Sequence, residues 1–171
     1  MRIELKSCTG EQLPEILAIF NDSILHSTAL YEYNEMTGED IERWYAAKTS
    51  GGFPLIGAFG NNGELLGFAT FGTFRQRPAY GNTIEHSVYI RKDKRGLGLG
   101  KMLLKYIIDR ATAMDYHTMI GVIDTSNSVS VRLHESLGFE LAGRLREVGY
   151  KFDRWLDVDF YQLILKKHPF L

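Results

Sequence analysis

Arg91-Lys92-Asp93-Lys94-Arg95-Gly96-Leu97-Gly98-Leu99-Gly100-Lys101 follows directly on the β-rich run that ends at Ile90. Leu99, Met102, Leu103, Tyr106, Ile107, Ala111 and Met114 then recur at helical spacing, so an amphipathic helix begins inside the quoted stretch. Strand, glycines, helix is a sequence with a physical use. Glycine lets the backbone adopt positive φ and approach a ligand closely. The first N–H groups of a helix lack internal acceptors, and the positive end of the helix dipole lies behind them. Such a turn suits a pyrophosphate. Lys94, Arg95 and Lys101 add positive charge beside it.

Three phosphate-loop patterns compete for this stretch. The P-loop needs Gly-x-x-x-x-Gly-Lys followed by a hydroxyl residue, and Arg95 and Met102 stand in the wrong places. The dinucleotide pattern Gly-x-Gly-x-x-Gly fails at Lys101 when started from Gly96 and at Leu103 when started from Gly98. The pattern [Arg/Gln]-x-x-Gly-x-[Gly/Ala] is met by Arg95, Gly98 and Gly100.

Working outward, residues 2–7 alternate like an opening strand. Thr9 with Gln12 and Thr37 with Asp40 are capping-box signals for two helices. Leu13, Ile16, Leu17, Phe20 and Ile24 mark the first helix; Ile41, Trp44 and Tyr45 mark the second, which Gly51-Gly52 ends. Residues 54–60 and 64–71 are apolar runs joined by Asn61-Asn62-Gly63, a hairpin. A strand over 83–90, the helix after Gly98, a strand near 118–123, a helix near 127–137, a strand opening at Gly138-Phe139-Glu140 and a last strand over 156–165 complete the order. The result is β α α β β β α β α β β, a mixed α/β domain.

Composition narrows the class. The 171 residues fit one domain; 44% are hydrophobic and 24% charged, and the net charge is −1, so no basic field points to nucleic acid or an anionic membrane. Cys8 is the only cysteine, which excludes an internal disulfide and fits a reducing compartment. No Cys or His spacing suggests a metal site. Neither a signal-peptide core nor an apolar run of about 20 residues is present, so the expected location is cytoplasmic, without membrane contact.

Arg95-Gly96-Leu97-Gly98-Leu99-Gly100 resembles the coenzyme A pyrophosphate loop of the GNAT superfamily of N-acetyltransferases. Asn127-x-x-Ser130 followed by Gly138-Phe139 is similar to that superfamily's second cofactor motif, and the element order matches. The resemblance implies a single GNAT-type domain over 1–171, with its core at about 2–166. It also implies a mixed, mostly antiparallel central sheet flanked by helices. Acetyl-CoA would be the co-substrate, with no metal. Arg95, Gly96, Leu97, Gly98, Leu99, Gly100 and Lys101 would hold the pyrophosphate. The backbone of Val88, Tyr89 and Ile90 would pair with the pantetheine arm like an added strand, and Asn127 and Ser130 would complete the cofactor site.

Four longer strings narrow the resemblance. They are Phe74-Arg75-Gln76-Arg77-Pro78-Ala79-Tyr80, Glu85-His86-Ser87-Val88-Tyr89-Ile90, Ser130-Val131-Arg132-Leu133-His134-Glu135 and residues 149–157, Gly149 to Asp157. All resemble phosphinothricin and methionine sulfoximine N-acetyltransferases. The acceptor implied is the α-amine of a small amino-acid analogue. Arg75 and Arg77 follow the apolar run ending at Phe71, and on an extended segment both turn to one side. Two guanidinium groups present donor forks to a carboxylate or phosphinate. Gln76, Glu85, His86 and Ser87 are the other expected substrate contacts.

Acyl transfer to an amine needs a proton acceptor, a polarised carbonyl and a leaving thiolate. Glu85 precedes Arg95 by ten positions, the spacing of the base glutamate in many GNAT enzymes. A strand N–H near Val88 would polarise the carbonyl. His134 stands four residues before Gly138, where many relatives place an acidic tyrosine. Direct transfer without an acyl-enzyme is expected. His86 should face away from Glu85 and line the site through its backbone. Homodimerisation through Lys151 to Leu165 is a further expectation. Other readings stay open: acetylation of another small amine or a protein N-terminus, or a non-catalytic acetyl-CoA-binding module.

Overall fold

The computed structural model describes residues 2–165. Lys166, the expected end of the core, lies outside the described residues. The strands are β1 (Glu4–Ser7), β2 (Leu55–Phe59), β3 (Leu65–Thr73), β4 (Thr83–Ile90), β5 (Thr118–Asp124), β6 (Glu140–Lys151) and β7 (Arg154–Ile164). The helices are α1 (Leu13–His26), α2 (Gly38–Ser50), α3 (Leu99–Ala113) and α4 (Ser128–Glu135). Their order is the one expected from the sequence. The strands form one hydrogen-bonded order, β1-β2-β3-β4-β5-β7-β6, antiparallel apart from the parallel β4–β5 pair among the registers described.

The described residues fall into two compact units. One comprises residues 2–71 with 87–107, the other 72–86 with 108–165. β3, β4 and α3 each contribute residues to both, so the chain passes from one to the other three times.

In the first unit both expected capping boxes are present. Thr9 and Gln12 bond reciprocally, although they open a 3-10 turn that runs into α1. Thr37 and Asp40 do the same at α2. These caps satisfy helix N–H groups that water would otherwise have to reach. Helix α1 buries Ile16, Ile19, Phe20 and Ile24. Phe20 is the centre of an aromatic cluster, edge-on to Trp44 of α2, Phe68 of β3 and Tyr89 of β4, with centroids 5.1, 5.1 and 5.0 Å away. Helix α1 thereby packs onto β3 and β4 in the stretch just before the glycine loop. Gly67 of β3 is needed for close strand approach, since a Cβ there would stand 2.7 Å from the Tyr89 carbonyl oxygen.

The second unit is built on β5, paired with β7 from Thr118 to Asp124, and on the long β6–β7 hairpin. Two register shifts interrupt that hairpin, between Leu141 and Gly143 and between Leu145 and Gly149. Glu147 sits in the second irregularity with φ 52°, its N–H held by Asp157 at 2.8 Å. Phe152 and Asp153, both with positive φ, form the two-residue turn. Arg144 makes a bidentate pair with buried Asp159, at 2.6 and 2.8 Å.

Candidate active site

Arg91 fixes the start of the glycine loop. Its N–H bonds Leu66 O at 3.0 Å. Its guanidinium grips Asp93 twice, at 2.7 Å each, and Glu64 at 3.1 Å. These bonds hold the Asp93 carboxyl down at about 2 and raise the Arg91 guanidinium further. Beyond this clamp, Gly96 and Gly98 take φ of 80° and 77°, the left-handed region that L side chains avoid. Nothing lies within 4 Å of a Cβ added at either, so backbone conformation, not crowding, demands glycine, and the turn's surface is open to a ligand. The N–H groups of Lys101 and Met102 are the first to bond back, both to Gly98 O at 3.1 and 3.2 Å. The Leu99 and Gly100 amides precede those first bonded donors at the helix mouth. Leu99 is buried and anchors the first turn, while Leu97 is exposed. Arg95 is exposed and only loosely paired, 3.9 Å from Asp22. Lys94 is held by Glu64 and Asp93 at 3.6 Å each. This cradle fits a diphosphate.

The parallel ladder from β4 to β5 includes Thr83↔Thr118, Ile84↔Met119 and Glu85↔Ile120. Val88, Tyr89 and Ile90 follow on the same strand and lead into the glycine loop.

Glu85 is half-buried and stands opposite Ile120 of β5. His86 faces the other way, as alternation requires, and is 7% exposed. Its ring stacks on His134 of α4, with centroids 5.0 Å apart and the Nε2 atoms at 3.0 Å. Gly121 makes room for the pair: a Cβ on it would meet both rings at 2.9 Å. His134 Nδ1 lies 2.7 Å from Ser130 O, which can only accept, so Nδ1 carries the proton. His134 Nε2 is then a lone pair, and His86 Nε2–H donates to it. That leaves His86 Nδ1 as a buried acceptor without a partner. Burial first, and the neighbouring His134 second, press the His86 imidazole down to about 3. Burial lowers His134 as well, against the pull of Ser130 O. The two rings form a neutral pair at neutral pH, and the single N–H of His134 is spent on Ser130.

Arg75, Gln76 and Arg77 are not extended. The segment bends sharply, with Arg77 N–H on Arg75 O at 2.9 Å, ahead of a 3-10 turn at Pro78–Tyr80. The extended reading fails because Pro78 and this tight turn break the strand after Thr73. Arg75 folds over the Phe74 ring, 4.2 Å from its centroid, and Phe74 meets Tyr80 edge-on at 6.0 Å. Asn127 caps α4, its Oδ1 accepting from Ser130 N–H at 3.1 Å. Asp124, which the sequence reading passes over, ends β5 in the same turn. Cys8 is buried with its thiol pushed up to about 12, chiefly by desolvation, and supplies no thiolate at neutral pH.

A glycine-cradled helix mouth directly after a strand is the diphosphate-holding arrangement of a coenzyme A-dependent acyltransferase. Residues 5–159 match the acetyltransferase (GNAT) domain family, and the chain belongs to it, with acetyl-CoA as acetyl donor. The L-methionine sulfoximine/L-methionine sulfone acetyltransferase of Pseudomonas paraeruginosa is 40% identical over 165 residues, 96% of each chain. An N-acetyltransferase from Staphylococcus aureus superposes with TM-score 0.95 at 43% identity, covering 97% of this chain and 100% of that one. A phosphinothricin acetyltransferase from Sinorhizobium meliloti, in complex with acetyl-CoA, gives 0.93 at 34% identity, covering 96% and 89%.

The neutral histidine pair has a consequence for stability. Histidine unfolds to an ordinary value near 6.5, so the unfolded chain binds more protons below that pH than the folded one. Stability is therefore complete above about pH 6.5 and falls below it as both unfolded rings take up protons, for His86 down to about 3 and by up to about 1.4 kcal/mol per pH unit. Urea midpoints from pH 8 to 4 read this, and His86→Leu should flatten the acid limb; an unchanged slope would refute the neutral pair.

Proposed function

We propose that the chain transfers the acetyl group of acetyl-CoA to the α-amine of a small amino-acid analogue of the phosphinothricin, methionine sulfoximine or methionine sulfone type, acting as one domain. The observation that carries the reading is the open, left-handed Gly96–Gly98 turn at the mouth of α3. The printed names of the relatives support the acceptor class.

Backbone N–H groups from Gly96 to Lys101 hold the diphosphate, with the Arg95 and Lys101 charges beside it. Val88, Tyr89 and Ile90 pair with the pantetheine arm through their backbone, and Asn127 with Ser130 closes on it from the α4 turn. Bound there, acetyl-CoA supplies an acetyl thioester to the attacking amine. Glu85 takes the amine's proton, directly or through a water. A strand N–H near Val88 polarises the carbonyl. For His134 to protonate the departing sulfur, its Nδ1–H, the one proton of the neutral ring, has to leave the Ser130 carbonyl. Arg75, Gln76 and Arg77 receive the acceptor's carboxylate and polar head, and His86 and Ser87 border it through the β4 backbone. The buried Cys8 thiol supports direct transfer without an acyl-enzyme.

We read the active form as a cytoplasmic homodimer. The lone Cys8 fits the compartment, and fractionation of the host cell tests it. Exposed Tyr150, Phe152 and Trp155 at the β6–β7 turn support pairing of two copies. Sedimentation equilibrium returning the monomer mass at micromolar protein would end the dimer reading.

Thiol release with the three analogues and the common amino acids tests the main reading; release with none of them refutes it. Glu85→Gln should lower kcat at neutral pH by roughly 10²-fold, and unchanged turnover removes Glu85 from the chemistry. Arg75→Ala should raise KM for the amino acid about tenfold or more and leave that for acetyl-CoA alone. A rise confined to acetyl-CoA would move Arg75 to the cofactor side.

A further inference from the structure

Asp124 is a buried carboxylate used on one side only. It is 7% exposed at the C-terminal end of β5. Its Oδ1 accepts from Ser126 N–H at 2.7 Å and from the Ser126 hydroxyl. Its main-chain oxygen accepts from Asn127 N–H at 2.9 Å, which ties it to the α4 cap. Its Oδ2 is buried and has no hydrogen-bond partner. Holding this turn needs Oδ1 alone, which an asparagine would also provide. A buried carboxylate oxygen without a donor is costly, so Oδ2 is placed for a donor that arrives with a ligand.

The strand register says which ligand. Glu85 stands opposite Ile120, and alternation along β5 puts Ile120, Val122 and Asp124 on the face that Glu85 occupies. Asp124 lies about 13 Å along the strand from that rung, four residues at about 3.3 Å each. Between them Val122 is 41% exposed, so the face is open there. A molecule lying along it from Glu85 toward the Asn127 cap reaches the end of β5, where Asp124 stands.

We propose that Asp124 Oδ2 is a reactant-binding acceptor, taking a hydrogen bond from an N–H that enters with the reactants. The source is an amide of the pantetheine arm or the ammonium of the acceptor amino acid. This rests on the transfer reading above and adds to it a residue that touches a reactant from the β5 side.

The test is steady-state kinetics of the full chain with acetyl-CoA and an accepted amino acid, joined to calorimetric binding of CoA. Asp124→Asn keeps a carbonyl for Ser126 and turns N–H groups toward the second position; Asp124→Ala removes both acceptors. Either should weaken one reactant roughly 10- to 100-fold, the loss of a charge-assisted bond. A rise in KM and Kd on the CoA side alone assigns the donor to pantetheine, and a rise in amino-acid KM alone assigns it to the ammonium. Ser126→Ala is the control: it should lower Tm and leave both constants within about twofold. The proposal is overturned if Ser126→Ala reproduces the binding loss, or if the Asp124 variants change only Tm. A wild-type chain that neither binds CoA nor releases thiol would instead refute the transfer reading, with no Asp124 variant involved.

Discussion

The glycine turn depends on the Arg91 clamp at its root. Arg91 bonds the Leu66 carbonyl through its backbone N–H and grips Asp93 and Glu64 with its guanidinium. Those bonds fix where β4 stops and where the two positive-φ glycines begin. Glu85 lies on the same strand, five residues before its end at Ile90.

Glycine serves this arrangement in two different ways. At Gly96 and Gly98 it permits positive φ in open surroundings, so the turn presents amides instead of side chains. At Gly67 and Gly121 it makes room. The first lets β3 come against β4 at Tyr89, and the second leaves space above β5 for two stacked imidazoles. A residue with a side chain at 121 would compete with His86 and His134 for that volume. The small residue and the histidine pair are therefore one packing solution.

Most of the fold was legible in the sequence because its signals are local. Thr9 and Gln12, Thr37 and Asp40, and the Asn61-Asn62-Gly63 turn each act within a few residues. The β6–β7 hairpin was harder to bound. Its two register shifts break the alternation that marks a strand, and its turn uses Phe152 and Asp153 at positive φ where Asn or Gly would have signalled it. The bend at Arg75–Arg77 was missed for a similar reason, since Phe74-Arg75-Gln76 carries no glycine. Of the candidate site, the glycine turn and the Glu85 position could be read from spacing. The partnership of His86 with His134 could not, because 48 residues separate them. Gly121 amid Met119, Ile120, Val122 and Ile123 was the available hint that something approached β5 closely.

The two faces of β5 divide the work by charge. On the His86 face, burial keeps two imidazoles neutral, and His86 Nδ1 is left without a hydrogen-bond partner. Arg144 and Asp159, toward β6, are paired with each other. On the Glu85 face stand two carboxylates, with exposed Val122 between them. Amine chemistry needs a neutral nucleophile and a place for the proton it sheds. The imidazoles thus fill the back of the strand as an uncharged wedge, and the Glu85 carboxylate stands on the opposite face, where the proposed proton transfer has to occur.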